Sequence, residues 1–186
     1  LGVFRLVEEK EPYTFIKVIS ELKKSNFPVK AFIAGDGRCR EAIQAEIIKL
    51  GLKDTITLLG RREDISALMQ VSDLLLHPSR IEGTPNAILE AMRCKLPAIA
   101  CPVGSIEEII IDNESGYICK VGDVNSMVIT AKNLLTDDLL RERIGQNAKS
   151  RIMKEFTVEK LVDNTLKLYP EIDVSEKNIF KTSAYQ

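Results

Sequence analysis

Short apolar runs alternate with stretches of helical periodicity along most of the chain. The apolar runs predict six buried strands, at 3–4, 29–34, 56–59, 74–77, 97–101 and 117–119. Between them, apolar residues recur at helical spacing, which predicts helices over 12–24, 38–50, 65–71, 86–92 and 105–111. Because these connections suit parallel crossovers rather than hairpins, we predict a doubly wound, Rossmann-like α/β fold with a parallel sheet of about six strands.

After the sixth strand the pattern becomes wholly helical. Helices are predicted over 124–135, 138–155 and 158–168, which would form a helical C-terminal end. Residues 1–169 are therefore expected to form one domain, and the polar, aperiodic residues 170–186 a loosely ordered tail. The chain starts directly on apolar residues at Leu1, which we interpret as a piece of a longer protein.

The composition is ordinary for a globular domain and argues against several functional classes. Apolar residues make up 45% and charged residues 28% of the chain, and the net charge of −1 argues against nucleic-acid binding. No apolar run approaches the roughly eighteen residues of a membrane span, and no secretory leader is visible. The four cysteines lack metal-ligand spacing, and their apolar neighbours favour buried free thiols over a disulfide. Reduced thiols without a secretory leader indicate a cytoplasmic location.

Residues suited to ligand binding follow the ends of several predicted strands. Ligands bind outside the carboxyl ends of the strands in such a sheet, so distant parts of the sequence would meet at one rim. The candidates at these positions are Arg5, Lys10, Gly35, Gly37, Arg62, His77, Ser79, Glu82 and Gly104. The fold prediction thus implies a ligand site built from all of them.

A loop and a helix start follow the fourth strand. We expect Thr84 to be the N-cap of this helix and Pro85 to occupy its first position, because proline has no N–H to lose there. The amides at such a helix start can hold an anion.

Two carboxylates lie eight positions apart in this segment. Glu82 lies in the loop and Glu90 on the helix, and both are expected to face the same crevice. A carboxylate can accept two hydrogen bonds from a vicinal diol, such as that of a ribose. By spacing alone, a capping residue and a solvent-facing carboxylate also account for the pair.

The other candidates carry weaker signals. Arg5 and Lys10 could converge on a diphosphate, or they could be two ordinary surface cations. The Gly35-Asp36-Gly37 turn resembles a phosphate loop but lacks the third glycine of the dinucleotide motif, so it could equally be a tight turn next to a ligand. His77 has no nucleophile elbow around it, which favours a wall residue or a minor substrate contact over a catalytic base.

The combined series resembles the donor-binding, C-terminal half of glycosyltransferase family 4, whose members are retaining GT-B enzymes. The matching positions are Arg5, Leu6, Glu9, Lys10, Gly35, Gly37, Gly60, Pro78, Ser79, Glu82, Gly83, Pro85, Glu90, Ala91, Met92, Leu96, Pro97, Val103, Gly104 and Glu108. The resemblance covers Leu1 to about Tyr169. Ser105 and Glu107 depart from it, since glycine and proline are frequent there, and this leaves the donor sugar open.

The resemblance implies a role for each part of the site. Arg5 and Lys10 would hold the donor diphosphate, Glu82 would contact the transferred sugar, and Glu90 would accept from the ribose hydroxyls. The remaining implied donor contacts are Gly35, Gly37, Arg62, His77, Ser79, Gly83, Thr84, Pro85, Asn86, Ala87 and Gly104. The implied reaction moves a hexosyl unit from a UDP- or GDP-sugar to a glycan, lipid or small-molecule acceptor, without a metal or other cofactor.

An N-terminal acceptor domain is the partner that the resemblance implies and the chain lacks. The chain alone is therefore expected to bind donor but to turn over poorly, with any contact to the inner membrane face made by parts that are not present. Two alternatives stay open: a non-catalytic nucleotide-sugar-binding or regulatory module, and a sugar-nucleotide epimerase. The Gly-x-Pro after Glu82 favours the transferase.

Overall fold

Six short parallel strands form the centre of the fold in a computed structural model that describes residues 1–168. The predicted tail at 170–186 and the domain end at 169 lie outside the described residues. The strands are β1 (Gly2–Val3), β2 (Ala31–Ala34), β3 (Ile56–Gly60), β4 (Leu75–His77), β5 (Ala98–Ala100) and β6 (Tyr117–Ile118). Each of the four strand pairings is parallel.

Helices connect the strands in the order that the periodicity predicts. They are α1 (Pro12–Lys24), α2 (Arg40–Lys49), α3 (Ile65–Gln70), α4 (Asn86–Arg93), α5 (Ile106–Ile109), α6 (Val124–Thr136), α7 (Asp138–Glu155) and α8 (Val158–Leu168). A 3₁₀ turn, Glu8–Lys10, follows β1. The ends of the helices and strands lie within two residues of their predicted positions. α5 is shorter than predicted at both ends and has only 4 residues.

The strands form two three-stranded ladders, β1-β2-β3 and β4-β5-β6, which meet between β1 and β4. There the main-chain nitrogen of Leu1 donates to the Leu74 carbonyl oxygen at 2.9 Å, and the Leu76 amide donates to the Leu1 carbonyl oxygen at 2.9 Å. The strand order across both ladders is thus 3-2-1-4-5-6. It reverses between β1 and β4, where doubly wound sheets bind ligands.

Two clusters of buried apolar side chains hold the helices against the strands. The first includes Phe15 and Leu22 of α1 and Ile43 of α2, and the second includes Ile88 of α4 and Ile152 of α7. Full burial of one such side chain contributes about 1.5–3 kcal/mol. The strand ends and their loops are therefore positioned by a well-packed apolar core.

The four cysteines are free, as predicted, but only three of them are buried. Cys39, Cys101 and Cys119 are buried, whereas Cys94 is half-buried at the end of α4. Burial raises the pKa of Cys101 to about 12 and also raises the pKa of Cys119. These two thiols therefore stay protonated at neutral pH.

Candidate functional site

Two loops that are far apart in sequence are joined at the point where the strand order reverses. The 3₁₀ turn follows β1, and the segment 78–85, here called the rim loop, follows β4. The Arg80 amide donates to the Glu9 carbonyl oxygen at 3.0 Å, and the Lys10 ammonium donates to the Ile81 carbonyl oxygen at 3.1 Å. The topology thus places Lys10 beside the rim loop.

The carboxylate of Glu82 lies at the centre of this junction. Its Oε2 is 2.7 Å from the Lys10 Nζ, and its Oε1 is 2.7 Å from the His77 Nε2. The Ser79 hydroxyl lies 3.3 Å from the same imidazole nitrogen. Only 8% of the Glu82 side chain and 15% of the Lys10 side chain are exposed, so this ion pair is largely shielded from water.

The surroundings of Glu82 keep its carboxylate ionised. Burial by itself would raise the pKa, but hydrogen bonds from His77, Lys10 and Ser79 outweigh it and lower the pKa of Glu82 to about 2. At neutral pH this group is therefore an anion that accepts hydrogen bonds and does not donate them.

The loop between β5 and α5 packs against the rim loop. Gly104 has a φ of +58°, and a Cβ there would overlap the carbonyl oxygens of Glu82 and Gly83. The amide and the hydroxyl of Ser105 both donate to the Gly83 carbonyl oxygen, at 3.1 Å each. The segment is therefore a tight turn against the rim loop, and the Ser105 amide already has an acceptor there.

The predicted cap of α4 is wrong in detail. The helix begins at Asn86, so Pro85 occupies the N-cap with an extended ψ of 98°, and Thr84 lies one position too early to cap it. In the described part of the chain no side chain caps α4, so the Asn86 and Ala87 amides keep donor capacity for a ligand.

Arg5 lies in an adjacent hollow of about 530 Å³ at the ends of β1, β2 and β3. Arg62 also lines this hollow, but its guanidinium donates twice to the Asp64 carboxylate, at 2.8 and 2.6 Å. The exposed Arg5 makes no ion pair with any of residues 1–168, so its charge is available. The structure thus puts Arg5 near, but not in, the Lys10–Glu82 junction.

The glycine turn after β2 is a close crossing of chains. Gly35 has a φ of +144°, and a Cβ there would overlap the Phe4 carbonyl oxygen. The Gly35 amide donates to the Gly60 carbonyl oxygen at 2.7 Å, and the Gly37 amide to the Asp36 carboxylate at 2.8 Å. Both glycine amides already have protein acceptors, so the turn is a tight chain reversal beside the hollow.

Glu90 lies apart from the other candidates. It is exposed on α4 and lines a hollow of about 390 Å³ that also involves Arg93, Phe156 and the start of α8. Its side chain makes no hydrogen bond or ion pair within the described residues, and no other candidate residue lines this hollow. The contact of Glu90 with a ribose therefore stays a prediction.

Three arginines that link neighbouring elements around the site were not among the predicted residues. The Arg38 guanidinium pairs with Glu8 at 2.8 Å, and Arg80 pairs with Glu11 at 3.4 Å. Arg151 of α7 donates to the carbonyl oxygens that end α5, at 2.7 and 2.6 Å. The sequence shows glutamates at positions 8, 9 and 11 and an arginine at position 80. That these charges pair becomes apparent only from the topology.

Two kinds of site are not seen among residues 1–168. No three His, Cys, Asp or Glu side chains lie close enough together there to hold a metal ion. Within the same range, no helix combines the length and apolarity needed to cross a bilayer.

The fold and the site together define a Rossmann-like domain of the GT-B kind, with an anionic and a cationic group facing each other where the strand order reverses. Residues 1–151 match the family of Glycosyl transferases group 1, and the chain belongs to this family.

Relatives and solved structures agree with this assignment. The chain is 31% identical over 164 residues to the N-acetyl-alpha-D-glucosaminyl L-malate synthase of Bacillus anthracis, covering 88% of this chain and 42% of that protein. It is similar to TarM of S. aureus, solved with UDP, at 27% identity and a TM-score of 0.84, over 90% of this chain and 34% of that one.

A third similar structure is a single domain. The C-terminal domain of the group 1 glycosyl transferase LpcC from Francisella tularensis is 26% identical with a TM-score of 0.76, and the match covers 84% of this chain and 85% of that one. The chain thus spans less than half of the first two proteins and most of this domain.

Proposed function

We propose that this chain is the donor-binding domain of a retaining glycosyltransferase of family 4, which transfers a hexosyl unit from a UDP- or GDP-sugar to an acceptor. The observation that carries the proposal is the shielded Lys10–Glu82 pair between β1 and β4. It offers a cation for a diphosphate and an ionised acceptor for sugar hydroxyls within 2.7 Å of each other.

In this proposal the cations act on the leaving group. A departing nucleoside diphosphate gains negative charge, and groups that are already in place to receive it lower the barrier. Lys10 supplies a point charge, the exposed Arg5 a second cation, and the uncapped start of α4 adds the helix dipole. No metal is needed for this role, and no cofactor other than the donor is proposed.

The sugar and the nucleoside are assigned to neighbouring places. Glu82 accepts hydrogen bonds from hydroxyls of the transferred sugar, since its pKa of about 2 keeps it anionic. The nucleoside is assigned to the hollow beside Arg5 and Arg62, where the turn at Gly35 allows close approach. Glu90 is proposed to contact the ribose, which requires a ligand that extends toward α4.

The relatives support a nucleotide-sugar donor but leave the acceptor open. TarM was solved with UDP, and the B. anthracis relative is named for an N-acetylglucosaminyl group and L-malate. Because this chain spans 42% of that relative, we propose that a second, acceptor-binding domain completes the enzyme in the cytoplasm.

Ligand binding by the chain tests the donor assignment. Isothermal calorimetry with UDP, GDP, UDP-glucose, UDP-N-acetylglucosamine and GDP-mannose should show binding of at least one base series. The Arg5→Ala, Lys10→Ala double variant should lose it, whereas Lys17→Ala, which removes an exposed lysine of α1, should not. Equal affinity of the wild type and the double variant would remove the diphosphate assignment.

Activity separates the transferase from a binding module. Covalent fusion to the N-terminal, Rossmann-like half of a group 1 glycosyltransferase should yield transfer from the donor that binds. Donor binding with no transfer from such two-domain proteins would instead favour a non-catalytic module.

A further inference from the structure

His77 is the only histidine in the chain, and its ring is fixed in place. It ends β4, only 3% of its side chain is exposed, and the Phe4 ring packs edge-on against it at a centroid distance of 6.4 Å. A ring that is so enclosed does not reach a ligand directly. The ring nitrogens of His77 therefore interact with neighbouring protein groups.

The two ring nitrogens have very different surroundings. Nε2 lies 2.7 Å from the Glu82 Oε1, while Nδ1 is buried without a hydrogen-bond partner among residues 1–168. Glu82 is an anion and can only accept, so Nε2 must carry the proton that is shared between them. His77 therefore donates to Glu82.

Lys10 and His77 hold different oxygens of the same carboxylate. Lys10 binds Oε2, is partly exposed, and is the group that a donor diphosphate would engage. His77 binds Oε1, and only 3% of its side chain is exposed. When a diphosphate takes up the Lys10 ammonium, the bond from His77 remains.

We infer that His77 is a positioning residue that keeps the Glu82 carboxylate aimed at the transferred sugar while Lys10 engages the diphosphate. The inference rests on the proposed function for the identity of the ligand. The hydrogen bond itself does not depend on any ligand, so the two can be tested separately.

The first test needs no ligand. A long-range ¹H–¹⁵N spectrum of the chain contains the ring signals of a single histidine, which removes any problem of assignment. We expect a protonated Nε2 whose proton exchanges slowly with water, and loss of this protection in Glu82→Ala. An unprotonated Nε2, or a ring signal that Glu82→Ala does not change, would overturn the inference.

The second test measures the ratio of the affinities for sugar nucleotide and for free nucleoside diphosphate. The probes are UDP-N-acetylglucosamine and UDP, or GDP-mannose and GDP if the chain prefers guanosine. His77→Phe keeps the ring volume but removes the donor, and should lower this ratio about tenfold. His77→Gln, which can still donate, should restore it to within about threefold of the wild type.

Two further variants separate positioning from a general loss of stability. Ile144→Val shortens a buried side chain of α7 and should lower the melting temperature without changing the ratio. In a Glu82→Gln background, His77→Phe should change the ratio by less than twofold. Two results would show a purely structural role for His77. One is an equal fall of the affinity ratio in His77→Phe and His77→Gln. The other is a fall in His77→Phe that is as large in the Glu82→Gln background as in the wild type.

The two kinds of failure are distinguishable. If none of the nucleotides binds while the Nε2 proton is protected, the donor assignment fails and the His77–Glu82 bond stands. If the nucleotides bind and the Nε2 proton is absent, the inference about His77 fails and the donor assignment stands.

Discussion

The substitution Glu82→Gln should change how stability depends on pH. The pKa of Glu82 in the folded chain is about 2, against an ordinary value of 4.5. Because folding lowers this pKa, the unfolded chain binds the proton more readily. The stabilisation is therefore complete above about pH 5 and is lost as the pH falls through 4.5 toward 2.

The size of the effect follows from the two pKa values. The gap between 4.5 and about 2 corresponds to about 3 kcal/mol of unfolding free energy at neutral pH. About 2 kcal/mol of this is lost by pH 3. The side chain is 8% exposed, so solvent screening removes little of it. Glutamine cannot titrate and carries none of this pH dependence.

Urea unfolding of both proteins at pH 7, 5, 4 and 3 measures the effect. The unfolding free energy of the wild type should exceed that of Glu82→Gln at pH 7, and the difference should shrink by about 2 kcal/mol between pH 7 and pH 3. Glu107→Gln, which changes an exposed residue of α5, should stay within about 0.5 kcal/mol of the wild type. A wild-type advantage that is the same at pH 7 and pH 3 would refute the reasoning.

Four other predictions follow from the described contacts. Lys10→Ala should weaken nucleoside diphosphate binding by about 1–3 kcal/mol in calorimetry, because a charge-assisted contact is lost; unchanged affinity would exclude Lys10 from the site. Gly104→Ala should lower the unfolding free energy by about 1–3 kcal/mol, since φ is +58° and the new Cβ would meet the rim loop; urea titration checks this. Asp123→Ala removes the N-cap of α6 and should cost about 1 kcal/mol, whereas a neutral result in the same assay would show that the cap contributes nothing. Iodoacetamide should label the half-buried Cys94 before the buried Cys101, whose pKa is about 12, and mass spectrometry of the peptides gives the order.

The regular elements could be predicted because each one carries its own periodicity. The spacing of Phe15, Ile19 and Leu22 places one apolar face on α1, and that face is buried as expected. The end of α2 could also be predicted from local sequence, because Gly51 follows it and adopts a left-handed φ of +67°. Such signals do not require knowledge of the rest of the fold.

The details of the site depend on contacts that no local pattern contains. Thr84 is a good capping residue by type, but Pro85 occupies the N-cap position of α4 and makes no side-chain capping bond. The hydrogen bond between His77 and Glu82 depends on how β4 turns into the rim loop, and spacing alone did not indicate it. Lys10 meets Glu82 because the strand order reverses between β1 and β4, which is a property of topology.

The ion pair of Lys10 with Glu82 has a consequence for ligand selectivity under the proposed function. An inorganic anion such as phosphate that draws the Lys10 ammonium away from Glu82 would leave the shielded carboxylate with only the bond from His77. A ligand that joins a diphosphate to a hydroxyl-bearing ring compensates both halves of the broken pair at once. The site can therefore discriminate against abundant small anions because they lack a hydroxyl-bearing ring, and not because of their charge.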